Sequence, residues 1–335
     1  MTPPGGTPLE SSNTNGRRAK LLVVSTPTKL KRTRHLWLEM GRLAEVRHEV
    51  LEQGSFANLK ELADRCDLSG YERVIVDHNL RRMGADYKQL RRIPNLVLFD
   101  FDFYTNYLPG SECLGKLESI LKALNEHRII VSSSSIKDDL QAKGFDAAYS
   151  PKAYDAFFVE DLGKLRDIEL GFIGRSKHWI YELRREMLER LQADLGLQVL
   201  RTEENAEYNE TLNRIQIFVS PDLGYHEIMI KDFEAMAAGC LMIAPRPASE
   251  ELTRLGWVDF ENIVLYETYD ELVSKIRRLR AEPGQIRRIA DAGKKLTTTR
   301  HRWEARAPAL LEMLLPPLRR PPALVWKDRW NLLTL

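Results

Sequence analysis

Residues 218–244 read FVSPDLGYHEIMIKDFEAMAAGCLMIA, and this stretch decides the fold prediction. An apolar run ends at Val219, a loop containing Pro221 follows, and the residues from Ile230 onward have the composition of a buried helix. Gly239 can adopt the left-handed conformation that ends a helix. A second apolar run begins at Leu241. The order strand, loop, helix, strand predicts one unit of a parallel sheet covered by helices.

The same rhythm recurs on both sides of this stretch and predicts two doubly wound α/β domains that face each other across a cleft. Pro151 interrupts any continuing helix or central strand, which places the boundary between the domains nearby. We predict a flexible tail at 1–18, a first domain at 19–155, a second at 156–305 and a closing segment at 306–335 that packs back on the first domain. The expected buried strands are 21–24, 74–76, 96–99, 129–131, 170–174, 215–219, 241–244 and 263–266.

Composition favours a globular protein in a reducing compartment. The chain has 335 residues, of which 43% are hydrophobic and 29% are charged, enough for two domains with their own cores. The three cysteines lack a paired spacing, and no apolar run reaches the roughly 18 residues that a membrane helix needs. We therefore expect a cytoplasmic protein, with contact at the inner membrane face left open.

The helix predicted after the loop opens at the mouth of the cleft. Its free backbone N–H groups and the positive end of its dipole favour a phosphate there. Lys231 in the first turn adds a full positive charge, and Glu234 one turn later can accept hydrogen bonds from ribose hydroxyls.

The run from Lys231 to Gly239 resembles the signature of GT-B glycosyltransferases of the family 4 kind, and is most similar to its CgeB-like branch, named after a spore-maturation protein. Residues 170–175 and 301–306 are similar to the opening strand and closing helix of that family's donor domain. The resemblance implies a nucleotide diphosphate sugar as co-substrate, with a UDP-sugar favoured, no cofactor, no metal, and retention at the anomeric carbon. It also implies the following donor-binding residues: Gly174, Arg175, Lys231, Asp232, Phe233 and Glu234, with Arg184 as a weaker candidate.

The sequence departs from the family where the donor sugar is bound. The family has two glutamates eight positions apart, whereas here His226 stands eight positions before Glu234 and Glu227 follows one position later. Either His226, by position, or Glu227, by chemistry, can fill the role, and both are candidate catalytic residues.

Polar residues also follow two predicted strands of the first domain. His78, Asp100 and Asp102 are expected to face the cleft, where one carboxylate can orient or deprotonate an acceptor hydroxyl. Asp100 and Asp102 match a metal-binding Asp-x-Asp pattern only superficially, because the phosphate-binding features lie in the second domain.

Two other functions stay open at this point. One is a nucleotide-sugar epimerase or phosphorylase on the same fold. The other is a nucleic-acid-binding protein, or a nucleic-acid glycosyltransferase, which uses the basic clusters of the first domain. The acceptor can be a saccharide, a lipid-linked molecule, a protein or a nucleic acid. Apolar residues near the end of the chain are expected to dock on the first domain or to contact a membrane or partner; they are Trp326, Trp330, Leu332 and Leu333.

Overall fold

The structure is a computed structural model that describes residues 17–51, 58–175, 182–222 and 227–334. Two α/β units follow one another in the chain, each with its own parallel sheet. Among the residues described, no helix is both long and apolar enough to cross a bilayer.

The first domain carries a six-stranded parallel sheet in the order β2-β1-β3-β4-β5-β6. Its central strands are apolar runs buried on both faces, as parallel strands covered by helices require. The elements in chain order are β1 (Lys20–Ser25), α1 (Pro27–Leu43), β2 (Glu45–Val50), α2 (Asn58–Arg65), β3 (Arg73–Asp77), α3 (Tyr87–Leu90), β4 (Leu96–Asp100), α4 (Lys116–Ala123), β5 (His127–Val131), α5 (Ser134–Ala142) and β6 (Ala147–Tyr149).

The second domain carries a five-stranded parallel sheet in the order β11-β10-β9-β7-β8. Gly239 has a φ of 85° and ends α8, as the sequence predicts. The elements are β7 (Ile168–Ile173), α6 (Glu182–Leu195), β8 (Gln198–Leu200), α7 (Ala206–Arg214), β9 (Ile215–Val219), α8 (Ile230–Ala237), β10 (Leu241–Pro245), α9 (Ser249–Leu255), β11 (Val264–Tyr266), α10 (Tyr269–Ala281) and α11 (Pro283–Arg300).

The end of the chain returns to the first domain through α12 (Ala307–Leu314) and α13 (Trp326–Leu333). Leu310 and Leu314 of α12 are buried in the core beside Trp37 of α1. Arg128, at the start of β5, pairs with Asp146 and donates to the Met313 carbonyl, which holds the end of α12 against the sheet. The first domain is therefore completed by residues that follow the second.

Candidate active site

Each sheet has a topological switch point, where the helices that follow two adjacent strands pack on opposite faces of the sheet. Open α/β sheets bind ligands there, beyond the carboxyl ends of the strands. In the second sheet the switch point lies between the paired strands β7 and β9. Gly174 and Arg175 follow β7, and α8 is the next described helix after β9. The end of β7 and the amino end of α8 form the predicted donor side of the candidate site.

Lys231, in the first turn of α8, reaches across to the end of β7. Its Nζ donates a 2.7 Å hydrogen bond to the Ile173 carbonyl and lies 5.5 Å from the centre of the Phe172 ring. Burial, and then the positive charge of Arg184, lower the pKa of Lys231 to about 8. In the part of the chain that the structure describes, Lys231 forms no ion pair. It is thus a cation close to a helix amino end, with Glu234 and Asp232 nearby but without a direct ion pair among the described residues, which favours an anionic ligand.

Gly174 makes this position of Lys231 possible. A Cβ atom at residue 174 would lie 2.4 Å from Lys231 Nζ and 2.8 Å from Phe172 Cζ. The flexible Lys231 side chain would be displaced, and the fully buried Phe172 ring would have to shift as well.

We expect Gly174→Ala to weaken donor binding by roughly tenfold, because the displaced ammonium gives up its charge-assisted contact, and to lower stability as well, because the added methyl meets the buried Phe172 ring. Isothermal calorimetry with a nucleotide sugar measures the change. Gly41→Ala in α1, where no atom lies within 4 Å of the added methyl, is the matched control and should bind normally. Equal affinity of both variants would show that the close approach at Gly174 does not serve binding.

Glu234 lies one turn after Lys231 and remains partly accessible. Its carboxylate accepts a 2.6 Å hydrogen bond from the Tyr208 hydroxyl, and burial raises its pKa. The charge of Arg32, on α1 of the other domain, acts on both Glu234 and Lys231. The positive end of the site is therefore bordered by both domains.

The two predicted arginines occupy different environments. Arg175 is exposed just after the end of β7. Arg184 is buried; it donates 2.9 Å hydrogen bonds to the Arg175 carbonyl and to Met229 Sδ, and its guanidinium lies 5.5 Å from the Phe172 ring centre. Arg184 therefore stabilises the backbone at Arg175 and adds a buried positive charge to this side of the site.

Asp232 and Phe233 were predicted to bind the donor, and the structure places both in the interior. Asp232 accepts a 2.9 Å hydrogen bond from the Met229 N–H, which caps α8, and burial raises its pKa to about 6. Phe233 is fully buried against Trp257 and His301. Successive helix residues point about 100° apart, so the neighbours of Lys231 and Glu234 turn inward.

Glu227 joins the two domains, whereas His226, the other candidate for the sugar contact, lies outside the described residues. Glu227 Oε1 accepts hydrogen bonds of 2.6 Å from Lys152 Nζ and 2.6 Å from the Ser132 hydroxyl, and Oε2 is buried with no hydrogen-bond partner among the described residues. Lys152 also donates to the Ile228 carbonyl at 3.0 Å. Lys152 was not singled out from the sequence, where a lone lysine after a proline carries no signal.

Asp100 and Asp102 have different environments although both lie at the carboxyl end of β4. Asp100 is buried and accepts 2.8 Å hydrogen bonds from the backbone N–H groups of Leu80 and Asp102, so it holds a loop in place. Burial, with the nearby Asp102 charge, raises the pKa of Asp100 to about 6. A predicted contact of Asp100 with the acceptor does not fit this geometry, because both of its oxygens face backbone donors.

Asp102 is partly exposed and accepts hydrogen bonds from Asn79 and from Arg81, the latter at 3.3 Å. Burial raises its pKa, but the positive charges of Lys29, Arg81 and Lys152 outweigh this effect and lower it. His78, after β3, is buried, and burial and Lys29 lower its pKa to about 4. At neutral pH the ends of β3 and β4 therefore carry an ionised Asp102 near a neutral His78. Within the described ranges no three His, Cys, Asp or Glu side chains are grouped to hold a metal ion.

Glu251 of α9 forms a second buried link between the domains. It accepts a 2.9 Å hydrogen bond from the Ser134 hydroxyl and one of 3.3 Å from the Ser134 N–H, at the amino end of α5, and another of 2.9 Å from the Tyr149 hydroxyl. Burial, and then the charge of Glu227, raise the pKa of Glu251 to about 7.

This raised pKa predicts a loss of stability with rising pH. A glutamate in an unfolded chain has a pKa of about 4.3, so the folded protein binds more protons than the unfolded chain between that value and about 7. Stability therefore falls as pH rises through this window. Glu251→Gln should remove this part of the pH dependence in urea unfolding from about pH 5 to about pH 8. Glu250→Gln, at an exposed surface pair with Arg254, should leave it intact; identical pH profiles for wild type and Glu251→Gln would refute the assignment.

Residues 152–312 match a family model described as glycosyl transferase-like. The chain is a glycosyltransferase. No curated protein matches this glycosyltransferase. Sucrose-phosphate synthase from Thermosynechococcus elongatus is similar in structure, with a TM-score of 0.62 and 15% identity over 88% of this chain and 98% of that one.

Two other solved structures have the same two-domain fold as this glycosyltransferase. HepE from Anabaena, solved in complex with UDP, has a TM-score of 0.60 and 13% identity over 88% of this chain and 99% of its own. The DNA-modifying enzyme β-glucosyltransferase has a TM-score of 0.56 and 12% identity over 88% and 99%. These likenesses confirm the GT-B fold that the sequence predicts.

Proposed function

We propose that the protein transfers a sugar from a nucleotide diphosphate sugar, with a UDP-sugar favoured, to an acceptor hydroxyl, and that it belongs to the CgeB-like branch of family 4. The observation that carries the proposal is the position of Lys231, whose ammonium lies against Gly174 where β7, β9 and the amino end of α8 meet. The UDP complex of HepE, a protein of the same fold, supports this choice of donor.

The proposed mechanism is electrostatic. As the bond between the anomeric carbon and the diphosphate breaks, negative charge grows on the leaving oxygen, and preorganised positive groups stabilise this charge more in the transition state than in the ground state. Lys231, Arg175 and the N–H groups of α8 supply the positive charge. Glu234, held by Tyr208, binds the ribose hydroxyls. Reaction with retention and without a metal follows the family resemblance.

On the acceptor side, Asp102 is the residue best suited to orient a hydroxyl. It is ionised, partly exposed, and follows the carboxyl end of β4.

We propose a cytoplasmic setting, which suits Cys66, Cys113 and Cys240, all of them free thiols.

Calorimetry against a panel of nucleotide sugars, with EDTA present, tests the donor. Micromolar binding of one donor in EDTA is expected, and binding that requires Mg²⁺ or Mn²⁺ would refute the metal-free mechanism.

Product analysis then separates a transferase from an epimerase or a phosphorylase. A transferase releases nucleoside diphosphate faster when acceptor is added, whereas an epimerase converts the donor without any acceptor, and a phosphorylase needs a phosphate or nucleotide co-substrate. A nucleic-acid acceptor would bind less tightly with rising salt.

A further inference from the structure

The helix α13 packs on the first domain with its polar side inward. Asp328 is buried and accepts hydrogen bonds of 3.0 Å from the Ser119 hydroxyl and 3.0 Å from Lys122 Nζ. Asn331 donates to the Ser119 hydroxyl at 3.0 Å and to the Gly115 carbonyl at 3.2 Å. Polar contacts therefore fix the orientation of α13 on α4.

The opposite side of α13 is apolar and faces solvent. Trp326 is 81% exposed, Trp330 62% and Leu333 80%. The spacing of four and three residues places these side chains on one face of the helix. The sequence-based expectation that these residues dock on the first domain holds only for Leu332, which packs on its core. Two tryptophans side by side in water indicate a binding surface rather than scattered exposure.

The charges around this face indicate what binds there. Lys327 and Arg329 are exposed, and helical geometry places them on the two flanks of the apolar face. Neither forms an ion pair with a described residue, and Asp328, the one acidic residue of α13, is turned inward onto Lys122. An apolar centre containing tryptophan, bordered on both sides by cations, is the pattern of helices that lie in the headgroup region of a bilayer.

We propose that α13 docks this protein on a membrane surface that contains anionic lipids. Trp326, Trp330 and Leu333 enter the boundary between headgroups and acyl chains, while Lys327 and Arg329 reach the lipid phosphates. Because α13 lies along the surface of the first domain, the three apolar side chains reach the bilayer together. This inference does not depend on the sugar-transfer reaction.

Co-sedimentation of the full chain with lipid vesicles tests the proposal. We expect binding to vesicles of phosphatidylcholine mixed with phosphatidylserine, and binding at least about tenfold weaker to phosphatidylcholine alone, since electrostatic attraction adds to apolar burial. The double variant Trp326→Ser, Trp330→Ser should lose binding to both. Lys327→Gln with Arg329→Gln should remove the preference for anionic vesicles.

Leu165→Ser is the matched control, because Leu165 is 85% exposed on the connection between the domains and its loss should not affect binding. An unchanged unfolding midpoint shows that each variant folds. Failure of the wild type to sediment with anionic vesicles, or equal sedimentation of the double tryptophan variant, would overturn the proposal. Dimerisation in solution that the tryptophan variant abolishes would also overturn it, because a second copy would then cover the face.

Discussion

Replacing Lys231 by methionine is expected to reduce kcat/KM for the sugar donor by roughly 10²–10³-fold, the range measured when one preorganised donor of an oxyanion site is lost. The ammonium lies at the end of β7 and has no carboxylate partner among the described residues, so its charge is available to the diphosphate. Methionine keeps a chain of similar length, and removing a partly buried charge that forms no ion pair with a described residue should cost little stability.

The pH profile gives this prediction a second readout. Because the pKa of Lys231 lies near 8, its charge is present at neutral pH and is lost above about pH 8. Donor affinity of the wild type should therefore fall in that range, whereas that of Lys231→Met should not. Lys295→Met, at an exposed position on α11, is the matched control and should retain wild-type kinetics.

Glu234→Gln complements this test, since it keeps the hydrogen bond with Tyr208 but removes the charge-assisted contacts to ribose; we expect a loss of about tenfold. If Lys231→Met and Glu234→Ala both left donor affinity and turnover unchanged in a folded protein, the donor site would have to lie elsewhere.

Glu227→Ala is expected to destabilise the protein by about 3–5 kcal/mol, because it leaves the buried ammonium of Lys152 without its counter-charge. Both side chains are almost fully buried, at 1% and 8% exposure, and they belong to different domains. The same change removes the acceptor of the Ser132 hydroxyl. Urea unfolding measures the loss, and sugar transfer should fall as well because the contact holds the domains together.

Replacing both partners separates the effect of the charge pair from that of its surroundings. Lys152→Met with Glu227→Met replaces two charges by apolar side chains of similar volume, and such replacements are often neutral or stabilising. We expect the double variant to recover most of the stability that Glu227→Ala loses. A double variant as unstable as Glu227→Ala would show that lost packing, rather than an unpaired charge, explains the loss of stability. Glu282→Ala, on an exposed surface pair, should change stability very little.

Much of the architecture was accessible from local patterns because buried parallel strands are continuous apolar runs. The strand predicted at 215–219 has the bounds of β9, and the strand predicted at 129–131 lies within β5. Three of the four edge strands were missed, whereas β11, whose three residues are all buried, was predicted at 263–266. β2 reads Glu-Val-Arg-His-Glu-Val and pairs through its backbone while most of its side chains meet solvent, and β6 and β8 are three residues long. Neither β2 nor these two short strands contain an apolar run long enough to predict a buried strand.

The sequence by itself determined that a strand, a loop and a helix ending at Gly239 form one unit, and that Lys231 and Glu234 lie at the amino end of that helix. These features follow from backbone propensity and periodicity, which are local. Only the tertiary structure decided that the Lys231 ammonium packs against Gly174. It also decided that Asp100 accepts hydrogen bonds from backbone N–H groups while Asp102 stays accessible, and that Glu227 forms an ion pair with Lys152. Burial and charge pairing depend on residues far apart in the chain, so no short stretch encodes them.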